Sequence, residues 1–159
     1  MSSTELVPES ARLRVIHQGR TIKGKQGHFY TQGISSETVA SKGIHLQLLT
    51  LPPGEMARGH KHEAHETAIY VVKGASGVWW GEQLENHSVA GAGEFVYIPS
   101  NVPHLPYNLS LTDICSCVIA RTDPNEQESV VLLPELEAEW RARQDVQRWL
   151  SKRQLDTVG

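Results

Sequence analysis

Short β-prone runs, each stopped by glycine or proline, limit this chain to few architectures. The run HLQLLTL at 45–51 ends at Pro52-Pro53-Gly54, the run at 68–72 at Gly74, Val78-Trp79-Trp80 at Gly81, and 94–98 at Pro99. Valine, isoleucine and aromatic residues in runs of this length favour strands, and the intervening glycines and prolines favour turns. The stretch DICSCVIA at 113–120 alternates well and reads as a closing strand. Many short strands in succession bury their apolar faces as an all-β sandwich or barrel. Leu105 to Leu109 contains Pro106, which predicts an edge strand or loop there.

The period changes at Pro134. Leu136 and Trp140 stand at i, i+4, and Val146, Trp149 and Leu150 at i, i+3, i+4. Glu135, Glu137 and Glu139 come early, with Arg148, Lys152 and Arg153 late, the order that the helix dipole favours. One amphipathic helix is expected over 134–152. The resulting division is a flexible leader over 1–13, a barrel over 14–133, and the helix with its tail over 134–159.

A formal charge of −3 and the lack of a basic stripe argue against a nucleic-acid partner. No apolar run reaches eighteen residues, so no membrane span is expected. The opening MSSTELVPESARLRV has no apolar core of the secretory kind, which predicts a cytoplasmic protein. Cys115 and Cys117 share a strand face and read as small buried hydrophobes rather than a disulfide.

The chemistry concentrates in HKHEAHE at 60–66. His60 and His62 stand two apart, so a strand presents both imidazoles on one face. Imidazole is the commonest protein metal ligand, and Glu66 would add a carboxylate. About forty residues on, Gly93 is followed by five residues, Pro99, then His104 and Asn108. Gly54 stands five residues before His60. Together these resemble the two-part signature of the cupin superfamily: Gly54, His60, His62 and Glu66 in the first half, Gly93, Pro99, His104 and Asn108 in the second.

The resemblance implies a double-stranded β-helix, or jelly-roll barrel, in which the two motifs face each other across the interior. It also implies a divalent metal on His60, His62, Glu66 and His104. The donor set does not distinguish Fe, Mn, Zn, Ni or Cu. Two positions depart from the pattern. Asn101 replaces a glycine, a mild change because asparagine tolerates positive φ. Seven residues rather than six separate Glu66 from Gly74. Counting back from Gly74 therefore reaches Thr67, and a bulge is needed to keep Glu66 in place. A three-histidine site, or His65 as fourth ligand, are the alternatives.

Such a centre predicts an enzyme acting on a small molecule, most simply an oxidoreductase of dioxygenase type, with Glu66 and His65 as candidate acid–base groups. A metal-dependent isomerase or epimerase and a non-catalytic binding domain are the alternatives. Metal occupancy would fall below about pH 6.5, where free imidazole protonates. Tyr70, Phe95, Tyr97 and Tyr107 flank the motifs and are candidate pocket walls. Trp79 and Trp80 must face opposite ways on a strand, and an outward tryptophan needs a cover, which predicts a homodimer.

Overall fold

A computed structural model of the chain describes residues 8, 11–17, 19–126 and 129–155. Most of the expected leader, and the last four residues, lie outside them. In chain order the elements are β1 (Thr21–Lys23), β2 (Phe29–Ile34), α1 (Ser36–Val39), β3 (His45–Leu51), β4 (His60–His62), β5 (Thr67–Lys73), β6 (Ala75–Trp80), β7 (Asn86–Gly91), β8 (Phe95–Ile98), β9 (His104–Asn108), β10 (Cys115–Arg121), β11 (Val130–Leu132), α2 (Pro134–Ala142) and α3 (Gln144–Leu155). One sheet has the order β1-β2-β3-β10-β5-β8 and the other β11-β4-β9-β6-β7. All pairings are antiparallel, and the result is a jelly roll with C-terminal helices. No helix among the described residues is long and apolar enough to cross a membrane.

Period-two alternation decides what each strand buries. In β3, His45, Gln47, Leu49 and Leu51 are buried and their neighbours exposed. In β10, Cys115, Cys117, Ile119 and Arg121 are buried. Leu49, Leu51, Val71, Cys115, Cys117 and Ile119 join Tyr30 in an apolar cluster that fills one end of the barrel. Each fully buried leucine or valine contributes about 1.5–3 kcal/mol. The other end is polar. The cross-strand row His45, Arg121, Thr67, Ile98 runs over β3, β10, β5 and β8. Three of those four inward residues carry polar side chains, so the polar end of the sandwich sits above an apolar floor. The thiols of Cys115 and Cys117 lie 3.8 Å apart, unbridged, within that floor.

Several expectations need correction. β9 is a central strand, not an edge, between β4 and β6. Pro106 is tolerated because β4 reaches only as far as His104, and Pro106 faces the Met56–Ala57 segment, whose Ala57 N–H donates to its carbonyl. The predicted single helix is two. Arg143 is extended (ψ 137°), and its guanidinium donates to the carbonyls of Gln83 and Leu84 and to the Asp145 carboxylate. This break turns α3 so that Val146 and Trp149 reach Trp79, Tyr107 and Trp140. Trp79 does face outward, but its cover is the chain's own α2 and α3 rather than a second subunit. Tyr107 lies on the same side, across Gly77, where an added Cβ would sit 2.1 Å from the ring.

Candidate metal centre

β4 and β9 are hydrogen-bonded neighbours, with His60 opposite His104. The three histidines therefore project from one sheet, where the sequence implied two motifs facing across the interior. His60, His62 and His104 are all buried, and one ring nitrogen of each lies within 4.8 Å of the others. The conformations that bring them together are those the motifs require. Gly54 (φ 71°), Gly93 (φ 90°) and Asn101 (φ 65°) are all left-handed. Asn101 also donates its backbone N–H to the His62 carbonyl and accepts from Ala64 N–H, which joins the loop before His104 to the end of β4. Asn108 is fully buried, and its amide donates to the carbonyls of Leu51, Pro52 and Asp113.

Two of the imidazoles have their tautomer set by the backbone. His60 Nδ1 lies 2.8 Å from the Arg58 carbonyl and His104 Nδ1 lies 2.9 Å from that of Val102. A carbonyl can only accept, so each Nδ1 carries the proton and each Nε2 offers a lone pair. Burial holds all three rings neutral. It keeps His60 well below its ordinary value, pushes His62 down to about 2 with help from the Arg121 charge, and lowers His104 to about 4 against its bond to Val102. Three neutral, converging imidazoles, two of them oriented by the backbone, fit a divalent metal.

The structure leaves Glu66 out of this cluster. Its side chain is exposed, and its carboxylate accepts a hydrogen bond from Tyr97 Oη. β5 does contain a register shift, but it falls between Val71 and Lys73, beyond the site. Alternation upstream of it is regular, so Thr67 faces in and Glu66 faces out. Thr67 Oγ1 is buried without a hydrogen-bond partner. His65 points to Thr122 Oγ1 at 3.2 Å, and neither His65 nor Glu66 lines the cavity.

The cavity beside the histidines measures about 50 Å³ and is walled by Tyr30, Gln26, Gln47, Thr67, Ile98 and Arg121 among others. A groove of about 320 Å³ adjoins it across Ile98 and His104. Val78, Val96, Pro99 and Val102 make that groove mostly apolar. Of the expected aromatic walls, Tyr97 touches the groove, Tyr70 and Phe95 are exposed, and Tyr107 packs under the helices. Gln26, Tyr30, Gln47, Ile98 and Arg121 are wall residues that the sequence did not single out. Arg121 continues the inward series Cys115, Cys117, Ile119, so the alternation carried the signal.

His17, His28, His45 and His87 stand outside the trio. His45 bonds Gln47 and the Asn125 carbonyl, His87 bonds Tyr107 Oη, and His28 pairs with Glu55 at 2.9 Å.

A pH dependence follows from the buried rings. The unfolded chain protonates its histidines near pH 6.5, the folded one far lower. The unfolded state therefore binds more protons below that pH, and stability falls as pH drops, by about 1.4 kcal/mol per pH unit for each such histidine. Thermal melts of metal-free protein should shift downward between pH 7 and pH 5. Metal occupancy should persist below pH 6.5, lower than the sequence alone suggests, because protons do not compete for neutralised rings until near pH 4. Flat melts, or metal lost by pH 6, would show the rings solvated.

Two antiparallel sheets closed over a buried histidine trio define a cupin-type jelly roll with a candidate metal centre. A family model described as a cupin domain matches residues 47–119, a span that holds both motif halves. The span 47–119 is thus that of a cupin domain. Comparison with curated proteins found no match. Among solved structures, the chain is similar to the polyketide cyclase RemF from Streptomyces resistomycificus, with 21% identity and a TM-score of 0.65 over 86% of this chain and 97% of that one. It is also similar to oxalate decarboxylase from Bacillus subtilis, with 19% identity and a TM-score of 0.61 over 79% of this chain and 34% of that one. The oxalate decarboxylase of Lactobacillus farciminis, in a formate complex, gives 18% and 0.60 over 72% and 33%. The chain thus spans about a third of the length of the oxalate decarboxylases. At these identities the likeness is one of fold.

Proposed function

We propose that this cupin is a metal-dependent oxidoreductase of dioxygenase type, acting on a small molecule at a centre held by His60, His62 and His104. The observation that carries it is the trio itself: three buried, neutral imidazoles converging on one point. A redox-active divalent ion such as Fe(II) would supply dioxygen chemistry there. The chain's own contribution is to hold Nε2 of His60 and His104 deprotonated, to keep the chamber small, and to admit substrate along the groove beside His104. The structural relatives named for oxalate and polyketide chemistry support a small oxygenated substrate.

A second reading is a non-redox isomerase or cyclase using Zn or Mn. Arg121 favours it, since a buried cation beside the trio suits a substrate that reacts through an anion. Fe(II) loaded anaerobically should give a nitric oxide spectrum, followed by oxygen uptake with some member of a panel of diketones, phenols and thiols. A nitric oxide spectrum without uptake, with turnover on Zn or Mn, supports the second reading. Metal binding without turnover leaves a binding domain. The expected homodimer keeps one support: the outer face of the six-stranded sheet exposes Leu46, Leu48, Tyr70, Val72, Phe95 and Tyr97, and a second copy would cover it.

A further inference from the structure

Arg121 stands where a cupin carboxylate would be expected to act. It is 4% exposed, and β10 places it beside Thr67, the position reached by counting back from Gly74. A guanidinium has no lone pair and cannot bind a metal. Its Nη1 lies 3.3 Å from His62 Nδ1, its Nη2 donates to the Glu126 carbonyl, and its buried Nε has no partner. Among the described residues, no carboxylate lines the chamber. Asp123 and Glu126 are near enough for Arg121 to feel their charge, but neither is in the wall.

The contact with His62 is conditional. Arg121 can only donate, so His62 Nδ1 accepts and the ring keeps its proton on Nε2. Ligation through Nε2 requires that proton on Nδ1, where Ser129 Oγ at 3.4 Å can take the bond. Arg121 Nη1 then has no acceptor, and Nε already has none. Two nitrogens without an acceptor on a buried cation, in a chamber of about 50 Å³ that a divalent ion would share, leave the guanidinium edge open to an anion, with Asp123 and Glu126 offsetting its charge only from outside the wall.

We infer that the centre takes a small carboxylate, whose oxygens are held by Arg121 next to the histidine trio. Arg121 is then a substrate-binding residue, and the bound carboxylate supplies the negative charge that Glu66 does not. This rests on the metal reading above and narrows its substrate class.

The test is a titration of Co(II)-loaded protein followed by visible absorption, with acetate as the anionic probe and imidazole as the neutral one. Arg121→Gln should bind acetate about tenfold or more weakly with imidazole unchanged, since one charge-assisted bond is worth that factor. Arg121→Lys should fall between. A role confined to holding the loop after β10 would not alter the ratio of the two probes. Equal acetate affinity in wild type and a Co(II)-replete Arg121→Gln overturns the inference. If that variant fails to fold, wild type decides: acetate must exceed acetamide by the same margin, and parity overturns it. If Co(II) does not bind wild type at all, the metal reading fails on its own. Acetate added to metal-free protein must then shift the Arg121 Nε–H resonance, and no shift overturns the anion seat.

Discussion

His104→Ala empties the metal centre and leaves the barrel standing. His104 is the sole member of the trio contributed by β9, and it stands opposite His60 across the ladder. Losing a group that merely orients a ligand costs about 10–100-fold in metal affinity, so losing a ligand outright should cost at least about a hundredfold. The fold should survive because the apolar floor around Leu49, Leu51, Val71 and Cys115 does not include His104. Its neighbour Leu105 points the other way, into the cluster under the helices. Removing a buried imidazole even relieves a desolvation cost below neutral pH, since the ring resists protonation only while folded. Metal analysis of protein purified without chelator, with far-UV circular dichroism alongside, reads both halves. Full metal content in the variant would show that the trio is not the site. A collapsed spectrum would show that His104 carries the fold. Glu66→Ala should leave metal content unchanged, because Glu66 faces outward.

That contrast between His104 and Glu66 shows what the sequence could and could not disclose. Motif spacing was enough to pair His60, His62 and His104, because the turn residues around them admit few conformations. Gly54, Gly93 and Asn101 all take the positive φ their positions demand. The spacing could not say which of Glu66 and Thr67 faces in, since that depends on where along β5 the extra residue is absorbed. It is absorbed at Val72, after the site. Arg121 was legible by alternation with Cys115, Cys117 and Ile119, yet its charge and its neighbours Thr122 to Asn125 resemble a solvated connector. Composition and periodicity disagreed there, and periodicity was right. The break at Arg143 has no local signature. It is made by carbonyls of Gln83 and Leu84, about sixty residues away, and only tertiary packing reveals it.

Those helices bear on the site, and Trp140→Ala measures how much. Trp140 is fully buried between α3 and the outer face of β6 and β9, with Trp79 at 5.7 Å and Trp149 at 6.2 Å between ring centroids. Truncating a buried tryptophan costs about 3–5 kcal/mol. Its Nε1–H has no acceptor, so removing it also lifts a desolvation penalty, and the lower part of that range is expected. The midpoint of thermal unfolding should fall by about 6–12 °C. α2 reaches the metal centre from behind: Glu137 accepts the Gly59 N–H at 2.9 Å, Leu133 N–H donates to the Gly59 carbonyl, and His60 follows directly. Arg141 holds Glu137 through two bonds of 2.8 and 3.0 Å. Loosening α2 should therefore weaken metal binding as well as stability, whereas Trp149→Ala, at a half-buried ring on α3, should cost less of both. A Trp140→Ala variant that melts within about 2 °C of wild type would mean the helices are docked too weakly to brace β4. The histidine trio would then have to be held by the two sheets alone.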